Sequence, residues 1–150
     1  MMRAIYFDMD GTIADLYGVD GWLDALINEQ TKPYREAKAL VNMRALGREL
    51  KRLQACGYVI GVVSWASKQA TEDYCERIEK AKRAWLLRHI GAVNFDEIHI
   101  VEYGTPKSTV VNYPNGILFD DEERNRKEWD LGDGMAFGVE NILEILRCMG

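Results

Sequence analysis

Ile5-Tyr6-Phe7-Asp8-Met9-Asp10-Gly11-Thr12 is an apolar run that ends in two aspartates one residue apart, then breaks at a glycine and a hydroxyl. Successive strand side chains point to opposite faces, but at a frayed strand end the backbone can turn both carboxylates toward one point. Carboxylates crowded there repel each other unless a cation sits between them or one keeps a proton. A strand that ends this way predicts a site handling both a cation and a proton.

The rest of the chain supplies the frame. Arg3 to Asp8 reads as a short buried strand. Tyr58-Val59-Ile60-Gly61-Val62-Val63-Ser64 is a second continuous apolar strand, of the kind covered on both faces. Glu97 to Val101 is a third strand, and Gly116-Ile117-Leu118-Phe119-Asp120 a fourth that again ends in aspartate. Met135 to Phe137 is a brief fifth. Between them, helices are expected over Trp22 to Gln30, Tyr34 to Cys56, Lys68 to Ile90, Arg124 to Asp130 and Val139 to Met149. Met43, Leu46, Leu50 and Leu53 form one apolar stripe; Ala70, Tyr74, Ile78, Ala81 and Trp85 form another. Gly57 is placed to cap the first of these helices, and Gly11 to Gly21 reads as loop.

Alternating strands and helices imply right-handed crossovers and a mainly parallel sheet between helical layers. In such α/β sheets ligands sit beyond the carboxyl ends of the strands. Asp8 and Asp10, Ser64, and Asp120 and Asp121 all fall at strand C-termini, so widely separated segments deliver polar groups to one edge.

Composition sets limits. The chain has 150 residues, 47% hydrophobic and 29% charged, which suits one globular domain over residues 1–150 and argues against disorder. A net charge of −5 gives no global attraction to polynucleotides or anionic membranes. Cys56, Cys75 and Cys148 have no paired spacing, fit a reducing compartment and read as packing residues. No apolar run is long enough to span a bilayer, so a cytoplasmic location and no membrane partner are expected.

The residue types point to magnesium-dependent phosphoryl transfer. Asp8 is the candidate nucleophile, forming an aspartyl-phosphate, and Asp10 the general acid/base that protonates the leaving oxygen and then activates water. Thr12 is expected to fix the turn through its hydroxyl. Ser64, before a helix N-terminus, suits a phosphoryl oxygen. Lys107, in Gly104-Thr105-Pro106-Lys107-Ser108, is a compact charge able to bridge a phosphate and a carboxylate. Met9 and Trp65 complete the phosphate-contact set with Asp10, Ser64 and Lys107. Asp120 and Asp121 are hard-cation ligands; with Asp8 and the Asp10 main-chain carbonyl they make the expected Mg2+ site. Asp121 is expected to bond through water or to Lys107, and Ser67 to cap the next helix. Asp15 is a candidate for orienting the loop. Trp22, Trp85 and Trp129 are expected in the core or at its rim, while His89 and His99 lack ligand spacing.

Phe7-Asp8-Met9-Asp10-Gly11-Thr12 resembles the first motif of the haloacid dehalogenase (HAD) superfamily, DxDGT after a hydrophobic strand. Ser64 is similar to the second motif, Lys107 to the third-motif lysine, and Phe119-Asp120-Asp121 to the fourth motif in its DD form. The resemblance implies an HAD-like Rossmannoid three-layer sandwich of about five strands and an HAD-type phosphoric monoester hydrolase. It implies the same pairing of first-motif aspartates, nucleophile then acid/base. The segments before Tyr34 and between Ser64 and Lys107 are too short for a full cap, leaving Trp22 to Gln30 as a partial lid.

Within that superfamily, Trp85-Leu86-Leu87-Arg88-His89, Lys107 and Ile117-Leu118-Phe119-Asp120-Asp121 are similar to 5′(3′)-deoxyribonucleotidases. This implies a small phosphorylated substrate, with (deoxy)nucleotides as the working class. The Asp121-to-Trp129 segment resembles the phosphatase domain of polynucleotide kinase, although two glutamates displace the arginine. A polynucleotide 3′-phosphatase acting on nucleic-acid ends and a non-catalytic phosphate-binding domain are the alternatives on sequence.

Overall fold

The computed structural model describes residues 2–150. From the N-terminus, β1 (Ala4–Phe7) runs into the paired aspartates. An excursion follows: β2 (Ala14–Asp15), a 3₁₀ turn (Leu16–Gly18), α1 (Trp22–Ile27), α2 (Lys32–Glu36) and β3 (Lys38–Ala39). Then come α3 (Met43–Ala55), β4 (Val59–Trp65), α4 (Glu72–Ile90), β5 (Glu97–Val101), a 3₁₀ turn (Lys107–Thr109), β6 (Ile117–Phe119), α5 (Glu123–Asp130), β7 (Met135–Phe137) and α6 (Ile142–Arg147).

The main sheet has the order β5-β4-β1-β6-β7, every pair parallel. Phe7 lies level with Val62 on one side and Phe119 on the other, so the C-terminal ends of the three central strands come together. The chain fills the β4 and β5 side first and then crosses β1 to lay down β6 and β7. The order therefore reverses beside β1, which is where an open α/β sheet leaves a ligand crevice.

Alternation along β1 sorts the two cores. Ile5 and Phe7 pack with Ile60, Val62 and Phe119 against Leu46, Leu50 and Leu53 of α3, Trp85 of α4 and Leu146 of α6. Ala4 and Tyr6 face the other layer with Val63, Leu118 and Trp129 of α5. The result is the expected three-layer α/β sandwich.

The continuous helix expected over Tyr34 to Cys56 is not present. Ala37 to Asn42 leaves helical geometry, β3 pairs antiparallel with β2, and Asn42 starts α3 afresh by accepting the Ala45 N–H at 3.0 Å. Its end is as expected: Gly57, at φ +94°, donates to Gln54 O at 2.9 Å while Tyr58 donates to Leu53 O at 3.0 Å. The Gly11 to Gly21 loop holds β2 and a 3₁₀ turn that Asp15 closes by accepting the Gly18 N–H at 3.0 Å. The helix expected from Lys68 begins at Glu72, and Thr71, not Ser67, caps it by accepting the Tyr74 N–H at 3.2 Å. Trp22 to Gln30 shortens to α1, and the last helix starts at Ile142 rather than Val139. Cys56 and Cys148 are exposed and not packing residues. Trp85 and Trp129 are fully buried, and Trp22 is half-buried.

Candidate active site

Asp8 and Asp120 are the residues that follow β1 and β6, and the ladder fixes both. The Asp8 N–H donates to Phe119 O at 2.9 Å, and the Asp120 N–H donates to Phe137 O at 3.1 Å. Beyond Asp8 the chain folds back tightly: Met9 O accepts the N–H groups of Thr12, Ile13 and Ala14 at 2.9–3.0 Å. Gly11 makes the bend at φ +81°, and a Cβ there would run into the Asp121 carboxylate. Met9 itself is buried with its side chain in the core.

The turn gathers three carboxylates. Ligand oxygens of Asp8, Asp120 and Asp121 all lie within 4.8 Å of one another. Thr12 ties them, donating to Asp8 Oδ2 at 3.1 Å and accepting the Asp121 N–H at 3.2 Å. Asp121 does not bond to Lys107; its side-chain neighbour is Thr12 at 3.3 Å. Lys107, 1% exposed, donates to Asp8 Oδ1 at 2.9 Å and to Asp120 Oδ2 at 2.6 Å. Asp120 also accepts from the Glu122 N–H at 2.9 Å and from the buried Asn125 amide at 3.1 Å.

Burial and mutual repulsion mark the cluster electrostatically. Burial, then the Asp8 charge, push Asp121 up to about 8. The same two causes, opposed by Lys107, push Asp120 up to about 6. Burial alone would lower the Lys107 ammonium, but Asp8 and Asp120 more than offset it and hold it above its ordinary value. Asp10 is raised by burial and, less strongly, by Asp8, against the pull of Lys82. Three oxygen-donor carboxylates converging this closely suit a hard divalent cation.

Lys82 was not singled out in the sequence. It projects from α4, 1% exposed, and donates to Asp10 Oδ2 at 2.8 Å, Ser64 Oγ at 2.7 Å and Trp65 O at 2.7 Å. Its signal was a lysine at the inward i+4 position from Ile78. The same bond turns Ser64 away from the opening: its hydroxyl is fully buried against Lys82, whereas Trp65 reaches the cavity wall. Asn125 was also missed; it is one turn beyond Asp121 on α5. Lys68 lies in the turn before α4 and lines the opening.

These groups form the floor of a cavity of about 410 Å³ that opens past α1 on one side and Trp65 and Tyr103 on the other. Asp8, Asp10, Asp121 and Lys107 all reach it. A carboxylate at a strand end, a second carboxyl group beside it, two buried ammonium groups and a three-carboxylate cluster can together perform in-line displacement at phosphorus.

No protein-family model matches the sequence, and no curated protein matches it either. Solved structures do match in fold. A D,D-heptose 1,7-bisphosphate phosphatase from Burkholderia thailandensis superposes with a TM-score of 0.55 at 16% identity, over 88% of this chain and 74% of that one. An HAD family enzyme from Bacteroides thetaiotaomicron, solved with magnesium and inorganic phosphate, gives a TM-score of 0.51 at 9% identity, over 92% of this chain and 94% of that one. Its Asp12Ala mutant, in complex with the same two ligands, gives 0.52 at 8% identity. The chain therefore has the parallel three-layer α/β fold seen in these three structures.

Proposed function

We propose that this protein is a Mg2+-dependent phosphomonoesterase of HAD type that works through an aspartyl-phosphate on Asp8. The observation that carries the proposal is the convergence of Asp8, Asp120 and Asp121 within 4.8 Å on the cavity floor, with Lys107 bridging the first two. The structural neighbour with bound magnesium and phosphate supports the same reading.

Asp8, Asp120 and Asp121, with the Asp10 main-chain carbonyl, would hold the ion, which when bound supplies positive charge against the phosphoryl oxygens. In the first step an Asp8 carboxylate oxygen attacks phosphorus as the bond to the leaving oxygen breaks. The Asp10 carboxyl gives its proton to that oxygen, a role favoured by its raised affinity for the proton. In the second step Asp10, now a carboxylate, takes a proton from water as the water oxygen attacks phosphorus. Inorganic phosphate leaves and Asp8 is restored. Lys107 neutralises charge beside Asp8 throughout, and Lys82 orients Asp10. Phosphoryl oxygens would meet the Met9 and Asp10 amides, Lys107 and the edge of Trp65. Ser64 then serves by seating Lys82.

A small phosphate ester, with nucleotides among the candidates, fits better than a nucleic-acid end. The cavity lining offers Lys68 and Lys107 against Asp8, Asp10, Asp121 and Glu122, with no basic track for a polyanionic strand. A binding domain without chemistry would have no use for an acid held beside Asp8 by its own buried lysine.

Phosphate release from p-nitrophenyl phosphate and a panel of phosphorylated metabolites, with Mg2+ and with EDTA, tests the proposal. Turnover that requires the metal and disappears in Asp8→Asn is the expected result. Equal release from wild type and Asp8→Asn would sink it.

A further inference from the structure

We infer that the cavity selects phosphate esters whose leaving group carries a flat aromatic ring, a refinement that rests on the phosphatase reading above. Beside its aspartate and Lys107 floor and a polar margin of Ser67, Lys68, Gln69, Glu122 and Asn125, the cavity presents two walls of rings and aliphatic chains. On one side stand Tyr17 and Trp22, whose rings meet edge to face at 4.9 Å, with Leu23 and Ile27 of α1 alongside. On the other side stand Trp65 and Tyr103, with ring centroids 4.8 Å apart.

This second wall is fixed. The Trp65 indole N–H donates to Thr105 O at 2.8 Å, and the Arg124 guanidinium lies 4.8 Å from the Trp65 ring and 5.6 Å from that of Tyr103. The first wall is unusual for its exposure. Leu23 is 54% and Ile27 69% exposed, and α1 buries no residue fully. Apolar side chains left facing water on one short element around a cavity mark a binding surface rather than core.

The chemistry of the walls narrows the ligand. A polyol leaving group would strip its hydroxyls of water against Tyr17, Trp22, Leu23 and Ile27, which return few hydrogen bonds. A planar ring loses nothing there and gains stacking and dispersion, an effect large enough to give about tenfold discrimination per stacked ring. The volume of about 410 Å³ lies in the range that encloses a ligand of that size. Nucleoside monophosphates and simple aryl phosphates share this feature.

The test is calorimetric binding to Asp8→Asn protein in Mg2+, with adenosine 5′-monophosphate, thymidine 5′-monophosphate, 4-nitrophenyl phosphate and ribose 5-phosphate as probes. At least one ring-bearing ester is expected to bind tenfold or more tighter than ribose 5-phosphate. Tighter binding of the nucleotides identifies a nucleoside, and tighter binding of 4-nitrophenyl phosphate alone identifies an aryl ester. In the same background Trp22→Ala is expected to remove about tenfold of the ring preference, and Leu23→Ser, at an exposed position that leaves the core intact, about threefold. Binding of ribose 5-phosphate as tight as that of the ring-bearing esters, no binding of any probe, or a preference unaltered in both variants overturns the inference. A ring preference in a protein whose wild type releases no phosphate would overturn the phosphatase reading and leave this one standing.

Discussion

The Lys82 ammonium lies 2.8 Å from Asp10 Oδ2, with the lysine side chain 1% and the aspartate 16% exposed. That one contact joins the middle of α4 to the end of β1 and sets the direction in which Asp10 faces Asp8. Replacing Lys82 with Met removes the cation and leaves Asp10, Ser64 Oγ and Trp65 O without their donor. Breaking a buried pair on one side costs about 3–5 kcal/mol. The expected outcome is a large fall in the urea midpoint, together with roughly a hundredfold loss in kcat at little changed KM, since a small misplacement of a reacting group has that effect. Steady-state kinetics and denaturant titration check the two parts separately.

Gly11 is the pivot of the three-carboxylate cluster. Its left-handed φ of +81° and the Asp121 carboxylate beside it leave no room for a methyl group. Gly11→Ala is expected to push Asp121 out of the cluster and weaken Mg2+ binding by tenfold or more. The measurement is a calorimetric Mg2+ titration, and an unchanged affinity would detach Asp121 from the ion.

Mg2+ should also stabilise the fold. An ion that binds only the native state adds about 2.7 kcal/mol at a hundredfold excess over its Kd. For a chain of 150 residues this raises Tm by roughly 5–10 °C. Thermal melts in saturating Mg2+ and in EDTA should differ by that amount in wild type and much less in Asp120→Asn.

On the opposite face of the sheet, the Tyr6 hydroxyl donates to Glu97 Oε2 at 2.6 Å and accepts the Tyr113 N–H at 3.1 Å. Burial, reinforced by Glu97, raises the Tyr6 hydroxyl above its ordinary value of 10.0. Because the folded value lies above the unfolded one, this contribution is complete below the unfolded value and is lost as pH climbs toward the folded one. Tyr6→Phe leaves a buried carboxylate oxygen and an N–H unpaired, costing about 1–3 kcal/mol at neutral pH. Stability profiles over the alkaline range are expected to fall less steeply in Tyr6→Phe than in wild type.

The sheet was readable because each parallel strand is a short apolar block buried on both faces, and Asp8, Ser64 and Asp120 punctuate the blocks at their C-termini. The grouping of Asp8, Asp120 and Asp121 followed from that punctuation. Lys82 did not, because a lysine within a charged helix sequence reads as solvated surface until tertiary packing turns it inward. The break at Ala37 to Asn42 was equally opaque. Only the pairing of Lys38 and Ala39 with Asp15 and Ala14 outweighs the local helical tendency, and that partner is remote in sequence. Thr71 and not Ser67 is the cap because the chain turns through a left-handed Gln69, φ +59°, and the helix begins only at Glu72.

The strap α1 is held at both ends and by Leu26, which packs against the Leu16, Tyr34 and Tyr74 cluster. Tyr17 braces Trp22 at one end, and at the other the Glu29 carboxylate accepts from Thr71 while Arg77 donates to the Glu29 carbonyl. Leu23 and Ile27, by contrast, are exposed and belong to no core cluster. A lineage carrying this fold can therefore rewrite Leu23 or Ile27, and with them, on the reading proposed above, the choice of ester, at little expected change in melting temperature.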